Sequence, residues 1–225
     1  MDSEGLSSLF LNSDYTLSTF TFSSHSFSLY SLASTMTDYD LTGQVVWPSA
    51  LLLSEYLIEN SALLKDKKVL ELGSGAGLSG YVASFFSKEV LLTDGNNIVV
   101  SLLEKNIDFW DKKNISCRQL AWGTIPTQEM LEEIKTNPKT GQKEEKTSFQ
   151  LIIGADIVFW PGAITPLGET LEVLMGEEEC EVLIAGSKRA LNVEKEFEEE
   201  LGRKGMRRDL VREKDGVFLY KIKKN

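Results

Sequence analysis

Val69-Leu70-Glu71-Leu72-Gly73-Ser74-Gly75-Ala76-Gly77-Leu78-Ser79-Gly80 decides the fold of this chain. The first four residues read as a short, largely apolar strand. Glycines at alternate positions read as a tight turn, and the residues after Gly77 open a helix. Strand, glycine turn and helix in that order form the first unit of an open α/β sheet that binds a nucleotide-type ligand at the turn. An acid, Glu71, stands just before the first glycine. A second acid, Asp94, ends the next apolar run, Val90-Leu91-Leu92-Thr93.

Downstream of this unit, strand and helix patterns alternate. Helices are expected over 78–87, 97–110, about 127–136, about 163–175 and 192–204, with strands at 89–93, 115–121, 149–155 and 181–186. Two further strands, about 207–212 and 217–223, are joined by Lys214-Asp215-Gly216, a hairpin turn signal. The pattern predicts an α/β fold, a doubly wound, mostly parallel sheet with an antiparallel C-terminal strand near one edge.

Upstream, Tyr15 to Phe22 and Ser26 to Leu32 alternate polar and apolar residues around Ser23-Ser24-His25, which reads as a β-hairpin with one buried face. Pro48-Ser49 opens a helix through about Asn60. The chain reads as a single domain, 1–225. It has an N-terminal hairpin or arm (1–40), a core (41–225) and a mobile insertion (124–148), the last rich in charge from Asn137 to Lys146.

At 225 residues such a domain can bury a sizeable core. Apolar runs reach only strand length, so no membrane span is expected, and the N-terminus lacks a signal-peptide pattern. A net charge of −10 argues against broad nucleic-acid binding. The basic tail (Arg203, Lys204, Arg207, Arg208, Arg212, Lys214) reads as a solvated face. Cys117 and Cys180, each in a predicted strand and without a Cys/His cluster, point to reduced thiols and no metal. A cytoplasmic location, with the nucleus also open, and a monomer are the expectations. His25, the one histidine, reads as a surface turn residue.

The glycine turn fits two ligands. Gly75-Ala76-Gly77-Leu78-Ser79-Gly80 matches G-x-G-x-x-G, and Asp94 lies nineteen residues after Gly75, which suits a dinucleotide. The same stretch fits acid-x-G-x-G-x-G. A dinucleotide needs helix N-terminal N–H groups for its pyrophosphate, and a neighbouring carboxylate would repel that group. S-adenosylmethionine has no phosphate and carries a sulfonium and an ammonium, so Glu71 discriminates between them. Asp94 can accept hydrogen bonds from ribose hydroxyls in either case. Trp122 could stack on adenine or cap the sheet.

Five segments in order resemble the seven-strand S-adenosylmethionine-dependent methyltransferases, and among them the protein-lysine methyltransferases of methyltransferase family 16. They are Thr42 to Ala50 with its Gly-x-x-x-Trp entry, Val69 to Gly80, Leu91-Leu92-Thr93-Asp94, Leu120-Ala121-Trp122-Gly123, and Ala155-Asp156-Ile157-Val158-Phe159. The resemblance covers about residues 40–190. It implies a seven-stranded Rossmann-like sheet, S-adenosyl-L-methionine as cofactor and a protein substrate, with methyl transfer to a side-chain amine, most simply lysine. It places Trp47, Glu71, Gly73, Ser74, Gly75, Gly77, Asp94, Asn96, Trp122 and Ala155 around the cofactor. It makes Asp156 the anchor of the acceptor amine, with Phe159 and Trp160 as channel walls. Ala121 departs from the acid often found before the tryptophan, and Phe159 lacks the hydroxyl of the alternative tyrosine. Some segments look like calmodulin-lysine methyltransferases and others like elongation-factor lysine methyltransferases. Histidine or arginine transfer, a small-molecule methyltransferase and a non-catalytic cofactor-binding module remain alternatives. A nicotinamide oxidoreductase is disfavoured by Glu71 and by the absence of an evident Tyr-Lys or His constellation.

Overall fold

The structure is a computed structural model, and it describes residues 15–32, 39–135, 149–176, 180–188 and 191–225. Strands β1 (Tyr15–Phe22) and β2 (His25–Leu32) form a separate antiparallel hairpin. A 3-10 segment, Tyr39–Gln44, leads into α1 (Pro48–Glu59). Then follow β3 (Lys68–Leu72), α2 (Leu78–Ala83), β4 (Glu89–Asp94), α3 (Asn97–Trp110), β5 (Ile115–Gln119) and α4 (Thr124–Lys135). The chain continues through β6 (Leu151–Ala155), α5 (Pro161–Leu174), β7 (Glu181–Ser187), α6 (Leu191–Arg203), β8 (Met206–Lys214) and β9 (Val217–Lys224).

The main sheet has seven strands in the order β5-β4-β3-β6-β7-β9-β8. β3 to β7 pair in parallel, and β9 runs antiparallel to both neighbours, β7 and β8. The reversed strand therefore sits one place in from the edge. Strand order changes direction between β3 and β6, which opens a crevice beyond their C-terminal ends.

The parallel strands are buried on both faces, which explains their continuous apolar sequences. Val69, Leu92 and Ile153 pack with the hairpin, α1, α2 and α3, where Phe27, Leu53, Leu57 and Leu103 are fully buried or nearly so. Leu70, Leu91 and Ile152 face the other way, against Leu167, Leu171, Phe197 and Leu201 of α5 and α6.

An isolated two-stranded hairpin is marginal in water, and here two side chains of α3 hold it to the core. The Asn106 amide accepts from the Tyr30 N–H at 2.7 Å and donates to the Tyr30 carbonyl at 3.0 Å, as a neighbouring strand would. Trp110 Nε1 donates to the Ser28 carbonyl at 2.9 Å, and the Trp110 ring stacks on Tyr81 at 3.9 Å.

Three sequence expectations need correction. The helix after the glycines ends at Ala83, not 87, because the Asn114 amide donates to the Ser84 and Ser87 carbonyls and diverts the chain. β5 stops at Gln119, where its partner β4 ends, and Leu120 N–H makes the last bond to the Asp94 carbonyl. The helix expected at about 127–136 forms as α4 and starts three residues earlier, held by buried Met130 and by the Thr127 hydroxyl, which donates to the Gly123 carbonyl at 2.6 Å. The stretch from Asn137 to Lys146 lies outside the described residues. His25 is not a turn residue. It begins β2, pairs with Phe22 and packs against Phe27 and Phe86.

The basic tail is neutralised by the chain itself. Arg203 pairs with Glu200, Lys204 with Glu172, Arg208 with Glu194, Arg212 with Glu59 and Lys214 with Glu55. Among the described residues no helix is long and apolar enough to cross a membrane.

Candidate active site

A cavity of about 560 Å³ opens at the C-terminal ends of β3, β4 and β6, where the strand order turns. This is the size and position of a small-molecule site in a doubly wound sheet. All twelve site residues expected from sequence line it: Trp47, Glu71, Gly73, Ser74, Gly75, Gly77, Asp94, Asn96, Trp122, Ala155, Asp156 and Phe159. Trp160 joins them.

The glycine turn is left-handed at Gly73, Gly75 and Gly77. At Gly75 the requirement is doubled. Its φ is +54°, and a Cβ there would stand 2.8 Å from the Gly43 carbonyl oxygen. The turn and the 42–47 segment are thus packed backbone to backbone, which only glycine permits.

Glu71 lies under the turn, only 2% exposed. Its carboxyl accepts from the Gly80 N–H at 3.1 Å. Gly80 is the third residue of α2, so a strand side chain caps that helix from below. Burial pushes this carboxyl up to about 8, against the lowering effect of the Gly80 N–H and the nearby Ser74 and Ser79 hydroxyls. At neutral pH the group is mostly protonated, so simple repulsion of a pyrophosphate loses force. Instead, Glu71 already occupies an α2 N–H that a pyrophosphate would use.

Asp94 ends β4. One carboxylate oxygen accepts from the Gly75 N–H at 3.2 Å and the other from the Asn96 N–H at 3.0 Å. Each oxygen keeps a lone pair for a hydroxyl. Burial raises its pKa. Two expected contacts are largely engaged elsewhere. The Ser74 hydroxyl accepts from the Thr93 N–H and donates to the Glu71 carbonyl, stitching β3 to β4. Asn96 caps α3 by accepting from the Ile98 N–H at 2.8 Å.

Trp47 donates through Nε1 to the Thr42 carbonyl at 3.0 Å and precedes Pro48 at the start of α1, which fixes its ring at the cavity edge. The Trp122 ring reaches Gly73, where a Cβ would meet it at 3.3 Å. Asp156 takes the left-handed conformation (φ 60°), a region aspartate tolerates better than most residues. Its N–H donates to the Ala185 carbonyl at 2.7 Å, so the side chain is set by the adjoining strand β7. Phe159 and Trp160, 38% and 51% exposed, form an aromatic lip.

Sequence reasoning missed three contributors. Gly43 closes over the glycine turn, Val99 supports Gly43, and Ile157 packs against Gly73 and Gly154. Apolar residues of this kind carry no signal that separates a cavity wall from core. Asn106 lies within α3, away from the cavity lining. It is buried, and it also donates to the Ala76 carbonyl at 3.0 Å, so one amide joins the hairpin to the cofactor turn. A thiol nucleophile finds no support. Burial pushes Cys117 up to about 11 and Cys180 up to about 12, and both are free. Among the described residues no group of His, Cys, Asp and Glu could hold a metal.

A seven-stranded sheet with a reversed penultimate strand, a glycine turn after its first parallel strand and an acid ending the next defines a Rossmann-like methyltransferase fold. Residues 31–204 match the lysine methyltransferase family, and the chain belongs to it. It is 29% identical over 211 residues to protein-lysine N-methyltransferase EEF2KMT of Homo sapiens, covering 84% of this chain and 59% of that protein. It is 31% identical over 171 residues to calmodulin-lysine N-methyltransferase of Arabidopsis thaliana, covering 74% and 52%. The chain thus spans little more than half the length of these relatives. Its fold also superposes on the T. thermophilus 16S rRNA N2 G1207 methyltransferase (RsmC), solved with AdoMet and guanosine. That match has a TM-score of 0.60 and 15% identity, and covers 95% of this chain and 51% of that one.

Proposed function

We propose that this chain transfers a methyl group from S-adenosyl-L-methionine to a lysine side chain of a protein substrate. One observation carries the reading: Asp94, Trp122 and Asp156 stand at successive strand ends around one cavity. The donor set suits this cofactor. Asp94 offers two oxygens to a ribose, Trp122 a flat face to adenine, and the glycine turn an unobstructed backbone. The α2 N–H that would favour a phosphate is already engaged by Glu71. When bound, the cofactor supplies a methyl group activated by the sulfonium.

The chain's residues then have three tasks. Free lysine has a pKa near 10.4 and arrives protonated. Asp156 receives the ammonium by a charge-assisted hydrogen bond and holds the nitrogen in line once its proton has left to water. Phe159 and Trp160 cover the lysine methylenes. Trp47 closes the cavity edge against water.

Incubation with tritiated S-adenosylmethionine and a cell extract tests the proposal. A labelled protein whose label maps to lysine is expected. Label confined to small molecules, or none, refutes it. Asp156→Ala should lower transfer by about a hundredfold or more, the scale of a lost positioning group, while cofactor affinity stays within a few fold. Retained turnover would remove Asp156 from the acceptor site.

A further inference from the structure

Glu71, Asp94 and Asp156 all line the cofactor cavity, and Glu71 is the most deeply buried of the three at 2% exposed. Neutral groups alone hold its carboxyl. The Gly80 N–H reaches it at 3.1 Å, and among the described residues no lysine, arginine or histidine pairs with it.

The elements packed around Glu71 bring it no positive charge. α2 carries no charged side chain, and its one titratable residue, Tyr81, is stacked on Trp110. At the start of β3 and β4, Lys68 pairs with Glu89. On α1, Glu55 and Glu59 pair outward with Lys214 and Arg212. β6 is uncharged from Leu151 to Ala155, and the acid Asp156 follows it. Asp94, at the end of β4, adds a negative charge that opposes ionisation of Glu71. A buried carboxylate without a counter-charge is costly, so the acid keeps its proton. S-adenosylmethionine brings the missing charge to this cavity as a sulfonium and an ammonium. A cation close to a carboxyl in a dry site favours the ionised form.

We infer that Glu71 exchanges its proton for the positive charge of the cofactor, being neutral before S-adenosylmethionine binds and ionised once it is bound. The Glu71 O–H bond breaks, its electron pair stays on the carboxylate and the proton leaves to water. No bond to the cofactor forms. Glu71 thereby selects a ligand by charge: a cationic nucleoside gains a carboxylate partner, and an uncharged one finds a neutral acid. The inference rests on S-adenosylmethionine as cofactor and not on which group accepts the methyl.

Calorimetric titration at about pH 6.5, in buffers of different ionisation enthalpy, counts the protons. At that pH the ammonium of the free cofactor, an α-amino group with a pKa of about 8, is already charged and contributes none. Wild type should release about one proton for each S-adenosylmethionine bound and no net proton with adenosine. Asp94 and Trp122 serve the nucleoside half of both ligands, so their contribution cancels in the comparison. Glu71→Gln keeps an acceptor for the Gly80 N–H and should release no net proton with either ligand. Between pH 5.5 and 7.5 the ratio of S-adenosylmethionine affinity to adenosine affinity should rise by up to about tenfold per unit in wild type and stay flat in the variant. The two-ligand comparison is made on wild type, so it stands even where the variant fails to fold. Equal proton counts for the two ligands, or a folded variant that still releases one proton with S-adenosylmethionine, overturn the exchange while leaving the methyltransferase reading intact. A wild type that binds no S-adenosylmethionine overturns both together.

Discussion

Asn106 gives the sharpest prediction. Asn106→Ala removes three hydrogen bonds of 2.7, 3.0 and 3.0 Å, two to Tyr30 of the hairpin and one to Ala76 of the glycine turn. At about 1 kcal/mol net for each, the loss is about 3 kcal/mol, more if the orphaned groups stay dry. For a chain of this length that lowers the melting temperature by ~6–12 °C.

The same change should reach the cofactor. The freed Ala76 carbonyl lies in the turn that lines the cavity, and the hairpin also holds the 42–47 segment through the Tyr15 hydroxyl, which donates to Gln44. A tenfold weaker affinity removes about 1.4 kcal/mol of ligand stabilisation at fixed concentration. The upward shift of melting temperature on adding S-adenosylmethionine then shrinks by ~3–6 °C. Thermal melts of both proteins, with and without cofactor, give both quantities. A lower melting temperature with an unchanged ligand shift would refute the coupling. A drop below about 2 °C would refute the hydrogen-bond estimate itself.

Two other changes test the cavity. Glu71 holds a proton in the folded chain, with a pKa of about 8, that the unfolded chain has lost above about pH 4.5. Stability therefore falls as pH rises through that window, by up to about 1.4 kcal/mol per unit. Glu71→Gln should flatten this slope in urea melts at pH 5.5 and 7.5, and equal losses in both proteins would sink the assignment. Trp122→Ala should weaken cofactor binding about fivefold to a hundredfold, the range of a base-stacking contact, and should weaken adenosine equally. Unchanged calorimetric affinity would leave the ring as a wall for Gly73 alone.

The parallel core was legible because strands buried on both faces leave continuous apolar runs, and β3, β4, β6 and β7 have them. The hairpin was legible from period two. Its attachment was not, since a lone asparagine in a helix pattern does not say which backbone it will meet. Helix ends were misjudged where a side chain distant in sequence decides them, as Asn114 does for α2. The expected site residues gather around one cavity because they stand at strand ends, which the pattern locates.

Glu71 shows how a sound residue choice can rest on an incomplete cause. Its value in sequence was its charge beside a possible pyrophosphate. Yet β3 is buried on both faces, and Glu71 pairs in register with Leu92 and Ile153, both fully buried. A carboxyl in that position must find its partners within the protein. The adjacent unpaired donors are the first N–H groups of α2, and Glu71 takes one at Gly80. The added Cβ that would replace a hydrogen at Gly80 would stand 2.6 Å from the Glu71 carboxyl and 2.1 Å from Leu92, so the helix start and the acid constrain each other. A phosphate is disfavoured here because its donor is already engaged. Asp94 keeps free lone pairs at the cavity, one on each carboxylate oxygen.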